Sequence, residues 1–250
     1  MERPETVPPL LCAHRGLSRA CPENTLPALA SAAAVGAHEV EFDLWMSLDG
    51  VAVACHDPAV DRTTDGAGKV SEMRWEDLRR IDAGVKRGEE WRGLRMPRLE
   101  EILGTVPDGV GLNIHVKDPG PEGRLVALVC RMLRERGLLD AAYLAAGSEE
   151  VLRAARDLAP GVQRACLFGK ADPAQQIRKA LEYGCQRIQF GRAVGEEHLR
   201  AAGEAGLVRN LYYSDEADEA REYVRKGVDV VLTNCAHQLI ADGFADRFAE

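Results

Sequence analysis

Eight short apolar runs, each followed by amphipathic sequence, set the tightest limit on how this 250-residue chain can fold. They are Leu10–Ala13, His38–Trp45, Val110–Lys117, Ala141–Ala146, Gln163–Phe168, Arg187–Phe190, Val208–Tyr213 and Val228–Thr233. Helical patterning fills the gaps: an Ala/Leu-rich run to Val35, Leu99–Leu103, Gly123–Arg136, then stretches near 148–158, 173–183, 195–205 and 215–226, and a last one from about 236. Strict alternation makes the strands parallel and the crossovers right-handed. Eight such units predict an α/β fold, a (β/α)8 TIM barrel, with a doubly wound open sheet as the alternative. The expected organisation is one barrel domain over residues 1–250, with residues 57–96 forming a small insertion after the second barrel strand. That insertion carries turn signals at Asp65-Gly66-Ala67-Gly68 and a short helical pattern at Glu76–Ile81. No repeat of 20 to 50 residues interrupts the pattern, and the Pro-rich residues 1–9 read as a frayed lead-in.

Composition narrows the class. Hydrophobic residues at 46% and charged residues at 29% suit a soluble globular protein, and a net charge of −8 spread along the chain argues against a nucleic-acid partner. Seven cysteines form no C-x-x-C pair and, being odd in number, cannot all pair internally. They read as small core residues in a reduced compartment. No apolar run approaches a membrane span and the N-terminus carries no apolar signal segment, so the expectation is a cytoplasmic protein without stable membrane insertion.

In a barrel, functional groups gather at the C-terminal ends of the strands. Here the first three barrel strands carry most of them. His14 and Arg15 follow the first strand. Glu39, Glu41 and Asp43 share one face of the second, since strand side chains alternate with period 2. After a Ser-Leu-Asp-Gly turn, the apolar run Val51–Cys55 forms a hairpin with that strand and delivers His56-Asp57 to the same end. Asn113, His115 and Lys117 share a face of the third barrel strand. The later strands end in Gly-Ser, Phe-Gly, Phe-Gly, Tyr-Ser and Thr-Asn, with no strong charge. A row of carboxylates on a buried face needs a cation. Carboxylates with an imidazole can hold a divalent ion, two further histidines can exchange protons near neutral pH, and Arg15 with Lys117 can neutralise phosphate oxygens. Together they form a kit for metal-assisted phosphodiester cleavage. His38, His198 and His237 read as structural residues, and Gly66-Ala67-Gly68-Lys69 as a turn because it lacks P-loop spacing.

The motifs run in order along nearly the whole chain. His14-Arg15-Gly16, Pro22-Glu23-Asn24-Thr25, Gly36-Ala37, Glu41-x-Asp43, Asp49-Gly50, His56-Asp57, Thr63 to Gly68, Pro97-x-Leu99-x-Glu101, Asn113-x-x-x-Lys117 and Gly227-Val228-Asp229 resemble the glycerophosphodiester phosphodiesterase family. The resemblance implies His14 and His56 as the general acid/base pair, Glu41 and Asp43 as ligands of one divalent metal ion (Mg2+, Ca2+ or Mn2+), and Arg15 and Lys117 as phosphate contacts. It implies a small-molecule phosphodiester substrate, hydrolysed to glycerol 3-phosphate and an alcohol after the substrate's own glycerol hydroxyl attacks phosphorus. Three departures stand out. The family's usual Asn-x-Glu-x-Lys reads Asn113-Ile114-His115-Val116-Lys117, so His115 replaces a carboxylate ligand and the expectation is a site that tolerates or prefers a transition metal. The usual Trp-Thr region reads Leu211-Tyr212-Tyr213-Ser214, and the usual Thr-Asp reads Thr233-Asn234-Cys235. Cleavage that stops at a cyclic phosphate, and a non-catalytic phosphodiester-binding protein, are the rival readings.

Overall fold

The computed structural model describes residues 9–168 and 171–244, so the lead-in expected at residues 1–9 lies almost wholly outside the described residues. The strands are β1 (Leu10–Ala13), β2 (Glu39–Met46), β3 (Ala52–Ala54), β4 (Gly111–Val116), β5 (Ala142–Ala146), β6 (Gln163–Cys166), β7 (Arg187–Gly191), β8 (Val208–Tyr212) and β9 (Val230–Thr233). The helices are α1 (Leu26–Ala34), α2 (Trp75–Leu78), α3 (Leu99–Thr105), α4 (Arg124–Glu135), α5 (Glu149–Leu158), α6 (Pro173–Glu182), α7 (Glu196–Glu204), α8 (Ala217–Arg225) and α9 (Ala236–Ala241).

One sheet runs β1-β9-β8-β7-β6-β5-β4-β2-β3, and a β1–β2 pairing closes it. Every pairing is parallel except β2–β3, so eight strands make a closed (β/α)8 barrel and β3 hangs on β2 as the antiparallel arm of a hairpin. Closure leaves the parallel barrel without an edge strand. Alternation along each strand sorts the side chains. Val40, Phe42 and Leu44 of β2 and Leu112, Ile114 and Val116 of β4 pack in the main apolar cluster with Leu99, Ile102, Leu125 and Val129 of the helices. The intervening residues face the barrel interior, and on β2 those are Glu39, Glu41 and Asp43.

Local signals explain the helix ends. The Ser148 hydroxyl accepts from Val151 N at 3.3 Å to cap α5, and Asp172 accepts from Gln175 N at 3.1 Å to cap α6, whose first residue is Pro173. At the start of α1, Thr25 holds the cap position and its hydroxyl donates to Pro22 O. Asn24 has another use, described below.

Residues 57–96 fold beside β3 around their own apolar cluster of Val60, Val70, Leu78, Ile81, Ala83 and Met96, completed by Val53 and Cys55 of the hairpin. The Asp82 carboxylate accepts from Gly84 N, Val85 N and Gly93 N at 2.9, 3.0 and 2.6 Å and so organises the returning loop. All seven cysteines are buried and free. Among the described residues no helix is long and apolar enough to cross a membrane.

Candidate active site

Register assembles the site. Glu41 lies opposite Asn113 and Asp43 opposite His115 across the β2–β4 ladder, so the two carboxylates and the imidazole meet on the inner wall. Potential ligand atoms of Glu41, Asp43 and His115 all lie within 4.8 Å of one another. His115 Nδ1 is 3.1 Å from Asp43 Oδ1 and 3.9 Å from Glu41 Oε1.

The outer oxygens of both carboxylates are already committed. Glu41 Oε2 accepts from Arg15 N at 2.8 Å, and Asp43 Oδ2 accepts from Asn24 Nδ2 at 2.9 Å. Asn24 also accepts from Asp43 N at 3.0 Å, so its amide grips Asp43 at two points. Both loop residues that reach back adopt the left-handed conformation, Arg15 at φ 56° and Asn24 at φ 56°. Gly16 follows at φ 75°, where a Cβ would come within 2.5 Å of Ala28 C. Only glycine lets the β1–α1 loop turn this sharply against α1.

Electrostatics fit a cation between the ligands. Burial pushes the Glu41 carboxyl well up, and the neighbouring Asp43 charge adds to the effect. For Asp43 burial acts in the same direction, but the hydrogen bond and charge of His115 and the charge of Lys117 outweigh it and hold this carboxyl low. Burial lowers the His115 imidazole despite Asp43. Two adjoining buried carboxylates and an imidazole are the donor set a divalent ion would satisfy.

The remaining expected residues fall around this cluster. His14, Arg15, Glu41, Asp43, His56 and His115 line one cavity of about 280 Å3, together with Gly147, Leu167, Gln189, Gly191, Tyr212 and Leu232. Arg15 Nη1 pairs with Glu23 at 2.8 Å, its Nε stands 3.5 Å from Asp43, and that Nε has no hydrogen-bond partner within the protein. Lys117 does not line the cavity. Its ammonium donates to Asp43 Oδ1 at 3.2 Å and lies 3.5 Å from His115 Nδ1.

The two histidines differ in setting. His14 is 7% exposed, and burial together with the Arg15 charge brings its pKa down to about 4. His56 is more open, and its Nδ1 is held 2.6 Å from Asp57 Oδ1. Arg62 clasps Asp57 and also pairs with Glu23 at 2.7 Å, which joins His56 to Arg15 through one chain of charges.

Several of these partners escape a reading of the sequence. Glu23 and Asn24 sit inside a recognisable motif, yet nothing local says that the Asn24 amide belongs to Asp43. Arg62 lies within the insertion. The far strands, which end without strong charges, still contribute Asp215 just past β8, and it binds Asn234. Glu39 does not join the ligand cluster: Tyr143 Oη donates to it at 2.8 Å and Arg187 pairs with it at 2.9 Å, deeper in the barrel.

A closed (β/α)8 barrel with carboxylates, imidazoles and a guanidinium converging on one cavity at its C-terminal mouth defines the class as a barrel enzyme acting on an anionic substrate. Known proteins sharpen this. The model of the glycerophosphoryl diester phosphodiesterase family matches residues 14–237. A glycerophosphodiester phosphodiesterase of Caldanaerobacter subterraneus subsp. tengcongensis is 29% identical over 239 residues, covering 92% of this chain and 96% of the relative. The enzyme of that name from Bacillus subtilis is 28% identical, with 90% and 83% covered. Among solved structures, an Oleispira antarctica phosphodiesterase in complex with the product sn-glycerol-3-phosphate superimposes with a TM-score of 0.87 at 26% identity, covering 94% of this chain and 96% of that one. A glycerophosphodiester phosphodiesterase from Agrobacterium tumefaciens gives a TM-score of 0.81 at 27% identity, with 93% and 99% covered. The chain belongs to the glycerophosphoryl diester phosphodiesterase family and is a phosphoric diester hydrolase.

Proposed function

We propose that this enzyme hydrolyses small glycerophosphodiesters to glycerol 3-phosphate and an alcohol, with one divalent metal ion held by Glu41, Asp43 and His115 and with His14 and His56 as the acid/base pair. The observation that carries the proposal is the placement of all five side chains on one cavity wall. The product bound in the Oleispira antarctica relative supports the substrate class. When bound, a metal ion there would polarise a phosphoryl oxygen and lower the pKa of a coordinated hydroxyl or water.

The protein's own groups supply the rest. Arg15, which lines the cavity, meets the phosphate charge, and Lys117 offsets the ligand carboxylates or reaches the same oxygens. His14, neutral at working pH, takes the proton of the substrate's glycerol hydroxyl as that oxygen attacks phosphorus. His56, oriented by Asp57, gives a proton to the departing alcohol. In the second half a water opens the cyclic phosphate, His56 takes the water's proton, and His14 returns its own to the ring oxygen. We place this chemistry in one barrel domain spanning the chain, and in lipid metabolism. The free buried thiols fit a cytoplasmic setting.

Phosphorus NMR of metal-stripped protein acting on glycerophosphocholine tests the reading. Glycerol 3-phosphate should appear only on adding a divalent ion, and Mn2+, Co2+ or Zn2+ should outperform Mg2+ and Ca2+ because imidazole is a softer ligand than carboxylate. Equal or better rescue by Ca2+ or Mg2+ would sink the metal preference. Cyclic phosphate as the final product would replace hydrolysis by the lyase-like reaction, and no turnover with any ion would leave a binding protein.

A further inference from the structure

Three further residues that contact His14 lie at the ends of β8 and β9. Tyr212 meets the imidazole edge-on at 5.2 Å and Tyr213 stacks against it at 6.0 Å, which fixes the ring plane. Its Nδ1 stands 2.9 Å from Asn234 Oδ1. An amide could present either end to that nitrogen, so what decides its orientation decides where the imidazole proton sits.

Asp215 decides it. One carboxylate oxygen, Oδ1, accepts from Asn234 N at 2.7 Å and from Thr233 Oγ1 at 3.0 Å. The other, Oδ2, stands 2.9 Å from the Asn234 side-chain nitrogen. A carboxylate only accepts, so the amide must turn its NH2 towards Asp215 and its oxygen towards His14. The Ser18 hydroxyl stands between that oxygen and the His14 carbonyl, 3.0 Å from the first and 2.8 Å from the second, so the carboxylate is what orients the amide. Since Asn234 Oδ1 cannot donate, His14 Nδ1 must carry the ring proton, which leaves Nε2 bare on a ring that lines the cavity. The reverse tautomer would set a lone pair against the amide oxygen and leave the cavity facing an N–H.

We propose that Asp215 is a positioning residue that, through the Asn234 amide, holds His14 as the Nδ1–H tautomer with Nε2 free to accept a proton. Its catalytic consequence rests on His14 being the base of the proposed function; the tautomer itself does not. Because burial keeps this imidazole neutral, the ring has one proton, and its location decides whether His14 can act as a base.

The test is nitrogen-15 NMR of the full chain labelled in histidine, with turnover of glycerophosphocholine measured on the same samples. The wild-type His14 signals should be those of the Nδ1–H form, and an Nε2–H spectrum would overturn the proposal whatever the variants do. In Asp215→Asn the two amides can pair either way round, so the Nε2–H form should appear, with kcat down about 10- to 100-fold and KM changed less than about 2-fold. The exchange variant Asp215→Asn/Asn234→Asp puts a carboxylate directly on Nδ1 and an amide behind it, and should restore both tautomer and kcat. A wild-type tautomer retained in folded Asp215→Asn, or an exchange variant no better than the single one, would refute the positioning role. A tautomer that moves while kcat does not would uphold the positioning and overturn the assignment of His14 as base.

Discussion

At the scale of single residues, His14 links acid–base chemistry to stability. Its pKa sits at about 4 in the fold against an ordinary 6.5, so between those values the unfolded chain binds a proton that the native protein refuses. Acidification through that window should lower stability by about 1.4 kcal/mol per pH unit from this group alone, and below about pH 4 its contribution to the slope ends. Urea titrations from pH 7 to pH 4 should show the decline, and His14→Ala should flatten it while cutting kcat by about 10²- to 10⁴-fold; activity surviving in that variant would remove His14 from the mechanism. Asn24 is the other decisive residue, since its amide fixes Asp43 at both backbone and carboxylate. Asn24→Ala should weaken Mn2+ binding about 10- to 100-fold by calorimetry, and unchanged affinity would show that Asp43 needs no such support.

At the scale of elements, the β1–α1 loop depends on Gly16. A Cβ there would collide with the Ala28 backbone, and φ at 75° suits glycine. Gly16→Ala should cost about 2 to 4 kcal/mol in urea unfolding, with a loss of activity in whatever fraction stays folded, because Arg15 N and Asn24 would no longer reach their carboxylates. Wild-type stability in Gly16→Ala would mean that the loop can reshape without α1. The strands and helices themselves were legible in the sequence because each is a local pattern: apolar runs such as Leu10–Ala13 and Ala142–Ala146 have nowhere to go but a buried strand. The Glu41/Asp43 face was equally legible, since period-2 alternation is local too. Asn24 is visible in the sequence as part of a motif but not as the partner of Asp43, and Asp215 is not visible because it lies beyond a strand end that carries no charge. Both bind partners about 20 residues away, by contacts that no spacing rule encodes.

At the scale of the whole molecule, the barrel interior is polar along β2 well below the site. Glu39, Arg187 and Tyr143 form a buried group in which the Arg187 guanidinium lies 4.1 Å from the Tyr143 ring centroid, and Asn210 donates to Tyr143 Oη at 3.0 Å. Glu39 and Arg187 are 148 residues apart in the chain, which is why the sequence could show the acid on β2 but not the base on β7 that answers it. Arg187→Met should destabilise by about 3 to 5 kcal/mol, because it leaves a carboxylate buried without a cation. Adding Glu39→Gln should recover most of the loss while metal affinity stays at the wild-type value. Equal instability of single and double variants in thermal melts would show that Arg187 matters for packing and not for charge.

The clasp between Arg62, Asp57 and Glu23 gives the 57–96 excursion a meaning that its position on the rim does not suggest. The loop that leaves β1, bearing Arg15 and Glu23, and the segment that leaves the β2–β3 hairpin, bearing His56 and Asp57, are buttoned together by one side chain of the excursion. Pruning the excursion down to a bare turn would leave a barrel with both loops attached but unbuttoned. The spacing between Arg15 and His56 would then be set by diffusion instead of by structure.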